Sequence, residues 1–95
     1  TGHNYTVEVT VTGPIAADTG QVVNLATLDQ LVEKKVLTRF NRKNLSDDEA
    51  FQHTPASEGS LARAVWNILK DEVSGAALTQ VQVSEGADTQ AIYRE

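Results

Sequence analysis

The first clear pattern in the chain is an alternation of apolar and polar residues from Tyr5 to Thr12, in the stretch YTVEVTVT. A period of two is typical of a β-strand with one buried face. Gly13-Pro14 follows this stretch. Because proline has no N–H to donate to a ladder, we expect the strand to end there.

Two later stretches have the 3.6-residue period of amphipathic helices. The first follows Asn24, a favourable N-cap residue, and its apolar positions are Leu25, Leu28, Leu31, Val32 and Val36. The second is predicted to begin at Pro55 or Ser57 and to end near Gly75, with an apolar face of Leu61, Ala62, Val65, Ile68, Leu69 and Val73. Between the two, residues 38–56 have no clear period, which is typical of a functional or mobile loop.

The end of the chain predicts two further strands. Apolar and polar residues alternate imperfectly over residues 78–83, and a short strand from Thr89 to Tyr93 follows a turn at Gly86-Ala87-Asp88. The predicted order is strand, helix, helix, strand, strand, in one domain over residues 1–95 with both helices on one face of the sheet. Three strands make a lean sheet, so we expect a further strand to precede Tyr5.

Composition narrows the classes of function. The 95 residues have a net charge of −5, and the eight basic residues are scattered apart from Lys34-Lys35 and the Arg39/Arg42/Lys43 cluster, which argues against a nucleic-acid surface. No apolar run approaches the length of a membrane span. Without cysteine, thiol nucleophiles and thiolate metal sites are excluded within this sequence, and a cytoplasmic location is the default expectation.

Five stretches together have a familiar order and spacing: GHNYTVEVTVTG, DTGQVVNLATL, RKNL, LARAVWNIL and SEGADTQAIY. As a set they resemble the 6-pyruvoyl-tetrahydropterin synthase family, which includes the 6-carboxytetrahydropterin synthases. The resemblance implies an α+β tunnelling fold, with an antiparallel sheet and a homo-hexamer or other barrel oligomer. It also implies that this chain lacks the family's first strand.

The resemblance implies a zinc site of which one candidate ligand is present. The family binds zinc with three histidines, one on the first strand and two in a His-Gly-His-Asn-Tyr run. His3 matches the second histidine of that run, and Thr1 stands at the position of the first. Threonine is not a usual zinc ligand, so zinc is expected only if upstream ligands exist. Without the resemblance, His3 reads as a solvated or hydrogen-bonded histidine.

The proton-transfer positions of the family are altered in this chain. The resemblance implies a cysteine base upstream and an Asp-His pair before Lys-Asn-Leu. Here Asn41 and Arg42 occupy the positions of that pair. Asparagine does not take a proton at neutral pH, and arginine stays charged. These two residues therefore cannot do the acid–base work.

The pterin-binding positions are better kept. The resemblance places Glu85 where a glutamate accepts hydrogen bonds from the pterin edge, and Ser57 where a threonine assists. Glu58 lies one residue before the family's second glutamate, at whose position Gly59 stands. On sequence alone, Glu85 would be an ordinary charged residue at a strand end.

Other polar residues in the aperiodic stretch have simpler interpretations. The run Asp47-Asp48-Glu49 lacks the spacing and the glycine of a calcium loop, so we expect a solvated loop. His53 matches no ligand of the family and is expected on the surface. Arg39, Arg42 and Lys43 are interpreted as surface residues, with binding of a substrate phosphate tail as the alternative.

Three hypotheses follow. The chain is a 6-pyruvoyl-tetrahydropterin synthase-like lyase that acts on dihydroneopterin triphosphate-like substrates, with essential residues upstream. Alternatively, it is a catalytically inactive paralogue that still binds a pterin. The third hypothesis is a structural subunit of a tunnelling-fold oligomer.

Overall fold

A computed structural model of the chain describes residues 4–14, 18, 20, 25–73, 75–86 and 89–94. It contains three strands: β1 (Tyr5–Thr12), β2 (Ala77–Glu85) and β3 (Thr89–Arg94). The helices are α1 (Leu25–Val32), a π-helical turn (Glu33–Leu37), α2 (Thr38–Phe40) and α3 (Glu58–Leu69). Two short 3-10 turns, Leu45–Asp47 and Glu49–Phe51, lie between α2 and α3. The predicted cap Asn24 and the chain start up to His3 lie outside the described residues.

The strands form an antiparallel sheet in the order β1-β2-β3. The pairing is regular from Tyr5, opposite Glu85, to Thr10, opposite Gln80, and it then shifts so that Val11 lies opposite Leu78. Thr79 is the extra residue of this β-bulge, and its hydroxyl donates to the carbonyl of Thr10 at 3.2 Å. A bulge moves the following residues to the other face of a strand. This explains why the alternation in this stretch is imperfect.

The core lies on one face of the sheet. Val81 and Val83 of β2 are fully buried against Val65 and Leu69 of α3, so the best-covered part of the sheet is its central strand. The opposite face carries exposed polar residues, among them Thr6, Glu8 and Thr10 of β1. The polar–apolar alternation in β1 therefore matches a sheet with one solvated face, and the prediction of both helices on one face is confirmed.

The first helix extends further than its periodicity predicts. After α1, the π-helical turn adds one residue to the helical repeat, and α2 continues to Phe40. Thr38 donates its hydroxyl hydrogen to the carbonyl of Glu33 at 3.0 Å within this turn. Val36 and Phe40, one turn apart, are both buried in the core. The prediction that the irregular stretch begins at Thr38 is therefore wrong, because burial of Phe40 continues the helix after its 3.6-residue period is interrupted.

The second helix is shorter than predicted. Ser57 is its N-cap: the Ser60 amide donates to the Ser57 hydroxyl at 3.2 Å, and the Ser57 amide donates to the Ser60 hydroxyl at 2.8 Å. The alternative start at Pro55 is therefore wrong. The helix ends at Leu69 rather than near Gly75, so Val73 lies beyond it. At its start, the two bonds between Ser57 and Ser60 satisfy two backbone amides that would otherwise be unpaired.

We predict that Ser57→Ala lowers the free energy of unfolding by about 1 kcal/mol, because the cap hydroxyl is lost. In a domain of this size the melting temperature should fall by roughly 4–8 °C. Ser46→Ala is the matched control, since Ser46 is exposed and its hydroxyl has no bond among the described residues. Thermal unfolding followed by circular dichroism makes the comparison, and equal melting temperatures for the two variants would contradict the assigned cap.

Candidate functional site

The candidate site begins at the end of the sheet where β1 starts and β2 finishes. Tyr5 lies opposite Glu85, and Glu85 in turn lies opposite Thr89 of β3. Val83 and Glu85 are two residues apart in β2, so their side chains lie on the same face of the sheet. Because Val83 is buried against the helices, Glu85 lies on the helix-covered face. Tyr5 and Glu85 are both half-buried. The last row of the sheet therefore presents a phenol and a carboxylate beneath the helices.

Helix α3 starts at this same end of the sheet. Burial raises the pKa of the Tyr5 phenol, and the negative charges of Glu85 and then Glu58 raise it further. Because charges act on each other strongly only over short distances, both carboxylates lie close to this phenol. Ser57, which directly precedes Glu58, is the cap of the same helix. The fold thus brings the three predicted pterin-binding residues to one end of the sheet.

A cleft of about 770 Å³ opens next to this row, between the start of β1 and the loop after α2. Its apolar wall comes from both helices and β1, and includes Val7, Phe40 and Leu61. Its polar rim consists of Asn4, Tyr5, Asn41, Arg42, Lys43, Asn44 and Ser46. Sites for small organic ligands commonly combine an apolar wall with a few polar groups. Tyr5 belongs to both the cleft and the carboxylate row, whereas Glu85, Ser57 and Glu58 are not among the residues that line the cleft.

Asn41 and Arg42, the altered proton-transfer positions, both line this cleft and are exposed. Asn41 ends the helix, with its amide donating to the carbonyl of Leu37 at 2.8 Å. Arg42 has a positive φ of 61°. This left-handed conformation is unfavourable for residues other than glycine. At the two positions where the resemblance implies proton-transfer residues, the cleft therefore has the amide of Asn41 and the permanently charged guanidinium of Arg42.

An ion pair holds the loop that carries these residues. The Arg39 guanidinium donates to both carboxylate oxygens of Asp48, at 2.9 Å from Nε and 2.7 Å from Nη2. The same carboxylate accepts from the Ala50 amide at 2.9 Å, capping a 3-10 turn. Arg39 also lies over the ring of Phe40, with Cζ 5.1 Å from the ring centre. This ion pair links α2 to the turn at Asp48, so it holds both ends of the loop that runs from Asn41 to Asp47.

The surroundings of Asp48 favour its charged form. The hydrogen bond from Arg39 is the main cause that lowers the pKa of Asp48 from 3.8 to about 2, assisted by the Ala50 amide and by the charges of Arg39 and Lys43. Its side chain is only 17% exposed. The prediction that this acidic run is merely a solvated loop is therefore wrong for Asp48, and Arg39 is occupied by an ion pair rather than free at the surface.

The described residues do not test the zinc prediction. His3 lies outside them, and no group of three potential metal ligands occurs among the side chains that the structure describes. His53 is exposed in the loop before Pro55, as predicted.

Comparison with known proteins identifies the family. The profile of the family described as "6-pyruvoyl tetrahydropterin synthase" matches residues 2–95. The chain belongs to this family. It is 37% identical to the 6-pyruvoyl tetrahydrobiopterin synthase of Drosophila melanogaster, over 98% of this chain and 56% of that protein. The human protein of the same name is 33% identical, over 98% of this chain and 65% of its own length.

The fold agrees with this family assignment. The structure superposes on the 6-pyruvoyl tetrahydropterin synthase of Caenorhabditis elegans with a TM-score of 0.90 and 28% identity, over all of this chain and 69% of that one. The expected α+β tunnelling fold is therefore confirmed. This family member spans between 56% and 65% of the length of the Drosophila and human relatives. None of its described helices is long and apolar enough to cross a bilayer.

We predict that Asp48→Asn lowers the free energy of unfolding at pH 7 by about 1 kcal/mol, since a partly exposed ion pair is lost. A carboxyl whose pKa is depressed on folding stabilises the protein above its unfolded pKa. This contribution should therefore disappear as the pH falls from about 4 towards 2. Urea unfolding at several pH values tests this.

Asp47→Asn provides the control for this ion pair, because Asp47 is an exposed neighbour that makes no side-chain bond among the described residues. It should leave stability within about 0.5 kcal/mol of the parent. If the difference between the parent and Asp48→Asn were the same at pH 2 and pH 7, the ion pair would not be its cause.

Proposed function

We propose that this member of the 6-pyruvoyl tetrahydropterin synthase family binds a pterin-type ring beside Tyr5, where the cleft meets the carboxylate row, with Glu85 as the principal anchor. The natural ligand would be a dihydroneopterin triphosphate-like molecule. Ser57 and Glu58 at the start of α3 would assist, one through its hydroxyl and the other through its charge. The names of the relatives support this ligand class, since both refer to a pterin or biopterin product.

The observation that carries the proposal is the position of Glu85. Its carboxylate lies on the helix-covered face, in register with Tyr5, which itself lines the cleft. A carboxylate can accept two parallel N–H bonds from a flat donor edge, and such charged bonds are stronger when partly shielded from water. The pterin ring presents an edge of this kind. The apolar wall of the cleft would cover the faces of the ring.

We predict that Glu85→Gln weakens binding of biopterin at least tenfold, because an amide cannot accept two N–H bonds side by side. Titration calorimetry would measure the affinity. Glu8→Gln is the matched control: it removes the same charge from the same sheet, but Glu8 is exposed on the opposite face. A loss of affinity below twofold in Glu85→Gln, or equal losses in both variants, would overturn the proposal.

A second candidate function is favoured by the residues at the cleft rim. Asn41 and Arg42 stand where acid–base groups are expected, and neither exchanges a proton near neutral pH. On this basis the chain binds its ligand without catalysing the usual lyase reaction, as an inactive paralogue or a structural subunit. Strand β1 pairs only with β2 among the described strands. The strand expected before Tyr5 would pair at the other edge of β1, which leaves the outer edge of β3, unpaired among the described strands, for the barrel oligomer that this hypothesis requires.

We predict that the chain does not consume dihydroneopterin triphosphate at a rate above background, because the proton-transfer pair is replaced. Product formation followed by chromatography, with total zinc measured in the same sample, would test this. A companion variant, Asn41→Asp with Arg42→His, restores the pair that the resemblance implies, and turnover in that variant alone would identify the replaced pair as the cause of the inactivity. Turnover by the parent chain would contradict the non-catalytic hypothesis while leaving the binding proposal intact.

A further inference from the structure

Ser46 differs from the other serines that the structure describes. The hydroxyls of Ser57 and Ser60 are both hydrogen-bonded in the cap of α3, and Ser84 is half-buried in β2. Ser46 is exposed in the loop after α2, and its hydroxyl makes no hydrogen bond among the described residues. Its backbone amide donates to the Asn44 side chain at 3.1 Å. Ser46 is therefore the described serine whose hydroxyl is open to attack by a second protein.

The residues after Ser46 place negative charge on one side of this hydroxyl. The chain continues as Asp47-Asp48-Glu49, so a carboxylate follows the serine at each of the next three positions. Asp48 is held by Arg39. The side chains of Asp47 and Glu49 are exposed and make no hydrogen bond or ion pair within the described part of the chain. These two carboxylates are therefore free to pair with the cations of a binding partner.

The backbone around Ser46 forms a single short turn. The Asp47 amide donates to the carbonyl of Asn44 at 3.1 Å, and the Asp48 amide donates to the carbonyl of Leu45 at 3.0 Å. On either side of the turn, Asn44 and Asp48 already have extended backbone angles. Since a short 3-10 turn has few hydrogen bonds and poor hydrogen-bond geometry, an enzyme that binds its substrate as an extended peptide can open this turn by replacing two backbone bonds.

We propose that Ser46 is a phosphorylation site for a serine kinase that recognises acidic side chains after the acceptor residue. Basic side chains in the substrate groove of such a kinase pair with Asp47 and Glu49. The phosphoryl donor is ATP bound to magnesium. The Ser46 hydroxyl oxygen attacks the γ-phosphorus, so a P–O bond to serine forms while the bond from that phosphorus to the bridging oxygen breaks and ADP leaves. The hydroxyl proton passes to a carboxylate base of the kinase.

Phosphorylation at this position changes the charge of the cleft rim. Ser46 lines the cleft, and the charged residues among its lining residues are Arg42 and Lys43. A phosphoserine carries a charge of about −1.5 to −2 at pH 7, which offsets these two cations. The rim therefore changes from positive to nearly neutral, and the modified protein binds an anionic ligand less tightly. This consequence for the ligand rests on the proposed function, whereas the phosphorylation site does not.

The test treats the folded chain with a purified acid-directed serine kinase and magnesium ATP, and follows the product by mass spectrometry of the intact chain and of its peptides. The parent should take up one phosphate, located on Ser46, and Ser46→Ala should take up none. Glu49→Gln should lower the initial rate by about fivefold or more, because an ion pair with the kinase is lost. Glu8→Gln removes the same charge from the opposite face of the sheet, and should leave the rate within about twofold.

Three outcomes would overturn the site: no phosphate on the parent, phosphate on Ser46→Ala at the rate of the parent, or equal rates for Glu49→Gln and Glu8→Gln. Titration calorimetry with two ligands then separates this inference from the proposed function. The phosphorylated chain should bind the uncharged biopterin as tightly as the parent does, and dihydroneopterin triphosphate about fivefold more weakly. Equal losses for both ligands would overturn the charge effect at the rim. If the parent binds neither ligand, the proposed function fails while the phosphorylation site stands.

Discussion

The structure depends on one buried contact, between the central strand β2 and helix α3. Val81 and Val83 from the strand and Val65 and Leu69 from the helix are completely removed from water. Each such side chain contributes about 1.5–3 kcal/mol on burial, which is large for a domain whose total stability is small. Because both elements are fixed by this contact, the start of α3 and the end of β2 are held next to each other. The candidate site lies where those two ends meet.

The loop after α2 is positioned by different forces. Few apolar side chains anchor this loop. Phe40 before it and Phe51 after it are buried in the core, with their ring centres 6.0 Å apart. The Arg39–Asp48 ion pair and the hydrogen bond from the Ala50 amide to Asp48 supply directional polar bonds in this loop. The cleft therefore has one wall set by hydrophobic burial and a rim set by charge and hydrogen bonding. Side chains at the rim can therefore be replaced without disturbing the packing of the core.

The residues at that rim are under weaker packing constraints than those of the core. Asn41 and Arg42 neither pack in the core nor stabilise the sheet, and both are exposed. Their side chains can therefore differ without disturbing the packing of the core. Glu85 is different, since it belongs to the last row of the sheet and shares its surroundings with Tyr5 and Glu58. The candidate residues of this region are thus under different structural constraints.

The sequence by itself determined the elements whose patterns are local. The alternation in β1 located that strand at Tyr5–Thr12, and the 3.6-residue period of α3 identified its buried face. Short motifs also determined the family, and with it the expected importance of Glu85. These succeed because side-chain periodicity and motif spacing are properties of neighbouring residues.

Only the tertiary structure decided the features that join distant or irregular segments. The π-helical turn before Phe40 and the bulge at Thr79 interrupt the periods on which sequence patterns depend. The pairing of Arg39 with Asp48, nine residues apart, has no regular spacing to reveal it. The meeting of Tyr5 with Glu85 joins the two ends of the sequence. The physical reason is that such contacts arise from packing and charge in three dimensions, where residues far apart in the sequence can lie close together.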